Sequence, residues 1–395
     1  MNAVGIIAEY NPLHNGHLYH LEEAKVIAGS DAVVVAMSGD YVQRGEPAIL
    51  DKWERAQHAL LHGADLVVEI PTLFCIGNAA QYARAGVGLL ESIGSVSHLA
   101  FGSESGDIDS LLLTAVNLDR ADAEINAGIA KLIKDGMSYP AARAKVYNEM
   151  FPDADDLPDD SNDILALEYI RAAHRLNHIA IKRIGAVYND CACDDVFMSA
   201  SGIRKATQSN MSVINYVPLD TAISLKEGIT TYPDSWLEVL KYAAISMTAE
   251  DIDNCPSGGE GLGNRIKSLI IDANSWSELV ENVKSKRYTY TRISRLFIQM
   301  ILGINRREYV SDKPEYLRIL GMNDTGRELV AELRNNDDCT LPIITNINKQ
   351  SEYLDDAAKQ QLKLDIHAAD VYNLVTGRNQ SERSDYRMKP IIVDL

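Results

Sequence analysis

The stretch MNAVGIIAEYNPLHNGHLYHLEEAK, Met1 to Lys25, decides how the rest of the chain is read. Its apolar run from Ala3 to Ala8 predicts a buried strand. A polar turn follows, with Asn11, Pro12 and Asn15. After Gly16, Leu18, Leu21 and Ala24 recur at helical spacing. His14 and His17 flank Asn15-Gly16 at the junction. A helix start offers unpaired backbone N–H groups and the positive end of its dipole. It therefore suits a phosphate, and Gly16 lets a ligand approach the backbone closely.

His14-Asn15-Gly16-His17 matches the HxGH signature of the nucleotidylyltransferase superfamily. The spacing has a chemical reason: two imidazole donors and a helix end can stabilise charge building on an attacked α-phosphate without a covalent intermediate. The following segments repeat the strand–helix alternation. Asp31 to Met37, Asp65 to Ile70, Val96 to Phe101 and Ile179 to Val187 read as strands; Lys52 to His62 and Asn78 to Ser92 read as helices. Such alternation means a parallel sheet with right-handed crossovers, and functional groups gather at the carboxyl ends of its strands.

Three strings fall at those ends: Ser38-Gly39-Asp40, Glu69-Ile70-Pro71 and Phe101-Gly102-Ser103-Glu104. Each is either functional or only a turn. Arg44, Lys52 and Arg55 are cations expected near the phosphate site. Gly102 suits a nucleotide or a turn, and Asn162 either caps the helix predicted over Ile164 to Leu176 or faces a nucleotide. Lys182 and Arg183 stand inside an apolar run, so one of them should point at an anion. Ser199-Ala200-Ser201-Gly202-Ile203-Arg204 predicts a second phosphate-facing helix start, with Ser201 and Arg204 as its ligands. The aspartate-rich stretch Phe151 to Asp163 lacks the spacing of a calcium loop and reads as a solvated loop.

The chain has 395 residues, 46% hydrophobic and 24% charged, with a formal net charge of -18. That length holds one large or two medium domains. The charge excludes holding nucleic acid by overall attraction but not by a local basic patch. The five cysteines (Cys75, Cys191, Cys193, Cys255 and Cys339) complete no zinc spacing and read as free thiols. No run approaches a membrane span and the start lacks a signal-peptide pattern, so a cytoplasmic protein is expected.

Beyond about residue 205 the pattern becomes helical, with helices expected over Ser235 to Met247, Gly263 to Ala273, Trp276 to Ser285, Thr291 to Leu302 and Asp355 to Val375. The expected division is 1–205 and 206–395. Lys284, Lys286, Arg287, Arg292, Arg295, Arg306 and Arg307, interleaved with Tyr288 and Tyr290, form the clearest basic segment. It suits RNA phosphates and unstacked bases, or else a salt-bridged helix.

The opening, SGDYVQRGEPAILDKWERA, GADLVVEIP, FGSE, SNDILALEY, IKRIGAVYND, ASGIR, KRYTYTRISRL and YLRILGMNDTGREL together resemble the bacterial tRNA(Met) cytidine acetate ligase family. The resemblance implies an α/β fold: a Rossmann-like (HUP-type) parallel-sheet nucleotidylyltransferase domain followed by a mostly α-helical domain. It implies formation of acetyl-adenylate from acetate and ATP, then acetyl transfer to the wobble cytidine of elongator tRNA(Met). His14 and His17 would be catalytic. ATP would contact Ile7-Ala8-Glu9-Tyr10-Asn11-Pro12-Leu13-His14-Asn15-Gly16-His17-Leu18-Tyr19-His20, with Gly102, Asn162 and Arg183. The tRNA would lie on Lys284, Lys286, Arg287, Arg292 and Arg295. Mg2+ is expected with ATP, with no protein metal site, membrane contact or obligate protein partner.

The family usually carries Asn-Asn-Ile-Leu-Gly where this chain has Asn162-Asp163-Ile164-Leu165-Ala166. Asp163 near the triphosphate would weaken ATP binding or recruit magnesium. Gly202 replaces a bulkier residue. Two other classes stay open: a cofactor adenylyltransferase, which would not need the basic segment, and a nucleotide- or RNA-binding protein without turnover.

Overall fold

The computed structural model describes residues 1–184, 196–259, 261–285, 288–308, 311–335 and 339–394. Its strands, in chain order, are β1 (Ala3–Ala8), β2 (Ala32–Ser38), β3 (Tyr41–Val42), β4 (Glu46–Pro47), β5 (Leu66–Ile70), β6 (Val96–Ser103), β7 (Asn177–Lys182), β8 (Leu317–Met322), β9 (Ile343–Ile344) and β10 (Ile391–Ile392). The main sheet runs β10-β8-β5-β2-β1-β6-β7, and β9 also pairs with β8. From β5 to β7 every pairing is parallel, with Ile6 opposite Val35 on one side and Ala100 on the other. All of β2 and β5 is buried, which explains why they read as continuous apolar runs rather than alternating patterns. The antiparallel β3–β4 hairpin stands off the sheet after β2.

The expected alternation is present. Helices Asn15–Ala28, Lys52–Leu61 and Ala79–Ser92 follow their strands. Four more, Ile108–Arg120, Asp122–Lys134, Tyr139–Met150 and Ser161–Ala172, fill the segment between β6 and β7. Cys75 and Cys255 are buried free thiols and Cys339 is a half-buried one; Cys191 and Cys193 lie outside the described residues.

The C-terminal region is mostly helical but also extends the sheet. β8 pairs antiparallel with β5, and β9 and β10 both pair with β8. The sheet therefore crosses the division expected at residue 205. Leu317–Met322 is a run of six buried residues, apolar or glycine but for Arg318, a length at which periodicity alone does not separate a strand from part of a helix. Helices from this region also hold the hairpin. Tyr41 Oη donates to the Ala368 carbonyl, Tyr372 Oη to the Ala48 carbonyl, and Ser294 Oγ to the Gly45 carbonyl.

Candidate active site

His14 is the N-cap of the helix that leaves β1. The backbone N–H of His14 donates to His17 Nδ1 at 3.3 Å, which leaves His17 Nε2 as the protonated nitrogen. The two rings stack, with centroids 3.7 Å apart and planes 16° from parallel. Tyr10 meets His17 edge-on at 4.9 Å. Tyr10 itself sits in the left-handed region at φ 44°, a strained conformation for a bulky residue and of the kind that collects at functional turns. Gly16 has a steric reason beyond the expected ligand approach. A Cβ there would lie 3.0 Å from His14 Cε1 and would push the imidazole aside.

Burial, reinforced by Arg183, lowers His14 to about 3 and His20 to about 4. His17 falls well below its ordinary value, first through burial and then through His14, His20 and Arg183. Near neutral pH the imidazoles are therefore uncharged donors. His14 Nδ1 and His20 Nε2 are buried with no hydrogen-bond partner among the described residues. A triphosphate fits that surplus, because unpaired buried polar nitrogens are costly until a ligand satisfies them.

These groups open on a cavity of about 1210 Å³ at the carboxyl ends of the strands. Of the expected residues, Ile7, Ala8, Glu9, Tyr10, Asn11, His14, Gly16, His17, Tyr19, His20, Gly102, Asn162, Arg183, Arg292 and Arg295 line it. Pro12, Leu13, Asn15, Leu18, Ser201, Arg204 and Lys284 do not. Leu13 is fully buried in the core. Asn15 Nδ2 donates to the carbonyls of Val196 and Asn215. Arg204 donates to the Asn11 carbonyl at 2.8 Å and lies 3.7 Å from Glu46, so it holds the turn from behind. Ser199, not Ser201, is the cap of helix Ala200–Gln208, and it lines the cavity.

On the β6–β7 side, Asn162 Nδ2 donates to Glu104 Oε1, and Arg183 Nε lies 3.9 Å from the same carboxylate. Asp160 is the N-cap of helix Ser161–Ala172, so Asn162 is left to face the cavity. A Cβ on Gly102 would meet nothing closer than Arg183 Cγ at 3.7 Å, so its neighbours leave room above the backbone. Asp163 turns away from the expected triphosphate position. Its buried carboxylate accepts from Ser103 Oγ at 2.5 Å and from the N–H groups of Glu104 and Ser105 at 3.0 and 3.2 Å. It thus ties the loop after β6 to Asn162. Asp163→Ala should raise the KM for ATP about 10- to 100-fold, because charge-assisted bonds of this kind contribute about 1.5–3 kcal/mol each. Steady-state kinetics check this, and a fall in kcat with KM unchanged would count against it.

The loop cations divide. Arg44 lines the cavity. Lys52 and Arg55 do not reach it, which corrects the expectation from sequence. Lys52 Nζ bonds Glu69 and Asp385 at 2.8 Å each. Arg55 donates to the carbonyls of Glu9, Ser38, Gly39 and Leu50. Both are buried, Lys52 to 1% exposure and Arg55 to 0%. The basic segment is also reassigned in part. Arg292 donates to the carbonyls of Ser257 and Gly258 and stacks over Tyr288 at 4.8 Å. Lys284 is exposed beside Glu281; Lys286 and Arg287 lie outside the described residues.

The sequence reading expected a helix from Asn78 but not that its start, Asn78–Gln81, lines the cavity. Its signal was the Asn78…Gln81 capping box, formed here by reciprocal 3.0 Å bonds. Among the described residues, no group of three or more His, Cys, Asp or Glu is placed to hold a metal ion.

The model of the HIGH Nucleotidyl Transferase family matches residues 1–387. The chain is 37% identical over 408 residues to the tRNA(Met) cytidine acetate ligase of Clostridium novyi, covering 99% of each. It is similar to the crystal structure of Thermotoga maritima TmcAL in its apo form, with TM-score 0.92 and 30% identity over 100% of both chains. The structure of that protein bound with alpha-thio ATP gives TM-score 0.90 with the same coverage. With a family model matching residues 1–387 and a relative 37% identical across 99% of each chain, the chain belongs to the tRNA(Met) cytidine acetate ligase family of HIGH nucleotidyl transferases.

Proposed function

We propose that the chain is an ATP-dependent ligase that forms acetyl-adenylate and passes the acetyl group to the wobble cytidine of elongator tRNA(Met). The observation that carries this reading is the uncharged, stacked His14–His17 pair at a helix start, inside a cavity larger than ATP alone needs. The nucleoside lies toward Gly102, Asn162 and Arg183, with the α-phosphate at Gly16, His14 and His17. One acetate oxygen attacks that phosphorus while its bond to the bridging oxygen breaks and pyrophosphate leaves. The cytidine N4 amine then attacks the acetyl carbonyl carbon; the bond to the AMP phosphate oxygen breaks, and N4 loses a proton. Positioning supplies much of the rate, and no protein nucleophile is needed. Mg2+ accompanies the phosphates of ATP.

The tRNA lies across the mouth of the cavity, near Arg292 and Lys284. The basic segment from Lys284 to Arg295 gives the acidic protein a local surface for RNA. No described helix is long and apolar enough to cross a membrane; ATP and tRNA as substrates support a cytoplasmic enzyme.

The test is acetate-dependent exchange of pyrophosphate into ATP, followed by acetyl transfer to tRNA(Met). Exchange that requires acetate, and acetylated tRNA that requires both, are the expected results. Exchange driven instead by a phosphorylated cofactor precursor would replace this reading with a cofactor adenylyltransferase.

A further inference from the structure

Glu104 stands one residue past the end of β6 and does not line the cavity, whereas its two side-chain partners, Asn162 and Arg183, do. It is fixed from the backbone outward. Its N–H donates to Asp163 Oδ1 at 3.0 Å, and the Ser103 carbonyl before it accepts from the Arg183 N–H at 3.0 Å. The side chain then returns to the same two places. Oε1 accepts from Asn162 Nδ2 and lies 3.9 Å from Arg183 Nε. Asp163 and Glu104 therefore tie the first turn of helix Ser161–Ala172 to the loop reciprocally, each carboxylate serving the other's segment.

This arrangement decides which end of the Asn162 amide is offered to a ligand. Burial pushes the Glu104 carboxyl up, against Asn162 and Arg183, which favour its charged form. Ionised, it only accepts, so the amide end beside it is Nδ2. Oδ1 is the end left over. It accepts from no described residue and is not a buried atom. Glu104 Oε2 is shut in with no hydrogen-bond partner among the described residues, so Glu104 reaches a ligand through Asn162 rather than directly. The cavity wall thus presents a fixed acceptor, and its match is a donor. The nucleoside of ATP carries donors of two kinds, the ribose hydroxyls and the exocyclic amine of the base.

We propose that Glu104 is a positioning residue for the nucleotide: by taking Asn162 Nδ2 it fixes Asn162 Oδ1 as the acceptor for a hydrogen-bond donor of the nucleoside. The assignment rests on the ATP-binding reading above. It makes nucleotide selectivity depend on a residue outside the cavity lining, because an analogue that lacks the donor leaves the fixed acceptor unpaired.

The test is equilibrium binding of ATP, without acetate or tRNA, to wild type, Glu104→Gln, Asn162→Ala and the double variant, measured by calorimetry. Glu104→Gln keeps the shape but offers an amide that accepts or donates, so Asn162 is no longer held to one orientation. The Kd for ATP should rise about 10-fold. Asn162→Ala should raise it about 10- to 100-fold, and adding Glu104→Gln to it should change little more. Analogues then identify the donor. Wild type should bind either the 2′- or 3′-deoxy form of ATP, or inosine triphosphate, about 10- to 100-fold more weakly than ATP. That preference should shrink in Glu104→Gln and vanish in Asn162→Ala. Weak deoxy analogues place the bond on a ribose hydroxyl and weak inosine triphosphate places it on the amine; both results uphold the assignment. ATP binding unchanged in Glu104→Gln, losses that multiply in the double variant, or an analogue preference that survives in both single variants overturns it, and Glu104 then only braces the loop. Selective ATP binding that depends on Glu104, in an enzyme without acetate-dependent exchange, upholds the assignment and removes the acetate reading. A wild type that binds no ATP removes both.

Discussion

Replacing His17 with alanine lowers acetate-dependent pyrophosphate exchange about 100- to 1000-fold and leaves thermal unfolding nearly where it was. Donors aimed at charge developing in the transition state carry effects of about that size, because they act in a site closed to water and are already oriented. His17 is oriented by the His14 N–H on its Nδ1 and by the stacked His14 ring, so its Nε2–H is fixed as the donor. His17→Gln, which places an amide nitrogen near the former Nε2, should recover part of the rate. His14→Ala removes both the neighbouring ring and an unpaired Nδ1, so a fall of similar size is expected. The pH profile is a second check. Burial lowers His14 to about 3 and His20 to about 4, and it depresses His17 as well. The protonated forms are therefore scarce at neutral pH, and kcat/KM in the free enzyme should pass through pH 6.5 without an inflection. An inflection near 6.5 that vanishes in His17→Ala would mean that an imidazolium, not a neutral imidazole, does the work.

What was legible in the sequence was local. The apolar run of β1, the turn and the helical spacing after Gly16 all lie within 25 residues, and each constrains the next. The parallel half of the sheet was legible for a related reason: its strands are buried on both faces and so read as unbroken apolar runs. Long-range closures were not legible. Nothing near Lys52 announces that Asp385 will return to it from 333 positions away. Asp163 is adjacent to Asn162, yet its carboxylate serves Ser103, Glu104 and Ser105 across a crossover of about sixty residues. Arg295 shows the same limit from the other direction. Its neighbours in sequence are basic and aromatic, which suits RNA, but the packing of Gly45 on its backbone turns that part of the helix to the wall of the cavity. Composition marked the residue as a ligand for an anion, and only the tertiary contact shows that it lines the cavity.

Lys52→Met should lower the stability of the whole fold by about 3–5 kcal/mol, the usual result of removing one partner from a buried ion cluster. Four charges meet here with almost no exposure. Lys52 and Arg318 supply the cations and Glu69 and Asp385 the anions, at 2.7–3.0 Å. The set is balanced, two against two. Without Lys52, Arg318 alone faces two carboxylates in a dry interior, and one negative charge is left uncompensated. The cluster also joins four parts of the chain: Lys52 opens the helix Lys52–Leu61, Glu69 is in β5, Arg318 in β8, and Asp385 in the segment leading to β10. Its loss therefore loosens the C-terminal edge of the sheet, and urea unfolding should show a lower midpoint with β10 exchanging its amides early. Lys52→Met combined with Asp385→Asn restores the charge balance and should be less damaged than the sum of the two single changes. Acid acts on the same cluster. Arg318 and Lys52 hold the Asp385 carboxyl below its ordinary value despite the opposing effect of burial. A depressed carboxylate stabilises the fold above its unfolded pKa, and that share is lost as the pH falls from about 4 through the folded value. In Lys52→Met the depression shrinks, so this acid-sensitive share of the stability should shrink with it. A Lys52→Met protein as stable as wild type, with the same acid limb, would show that the cluster contributes little and that β8 and β10 are held by apolar packing alone.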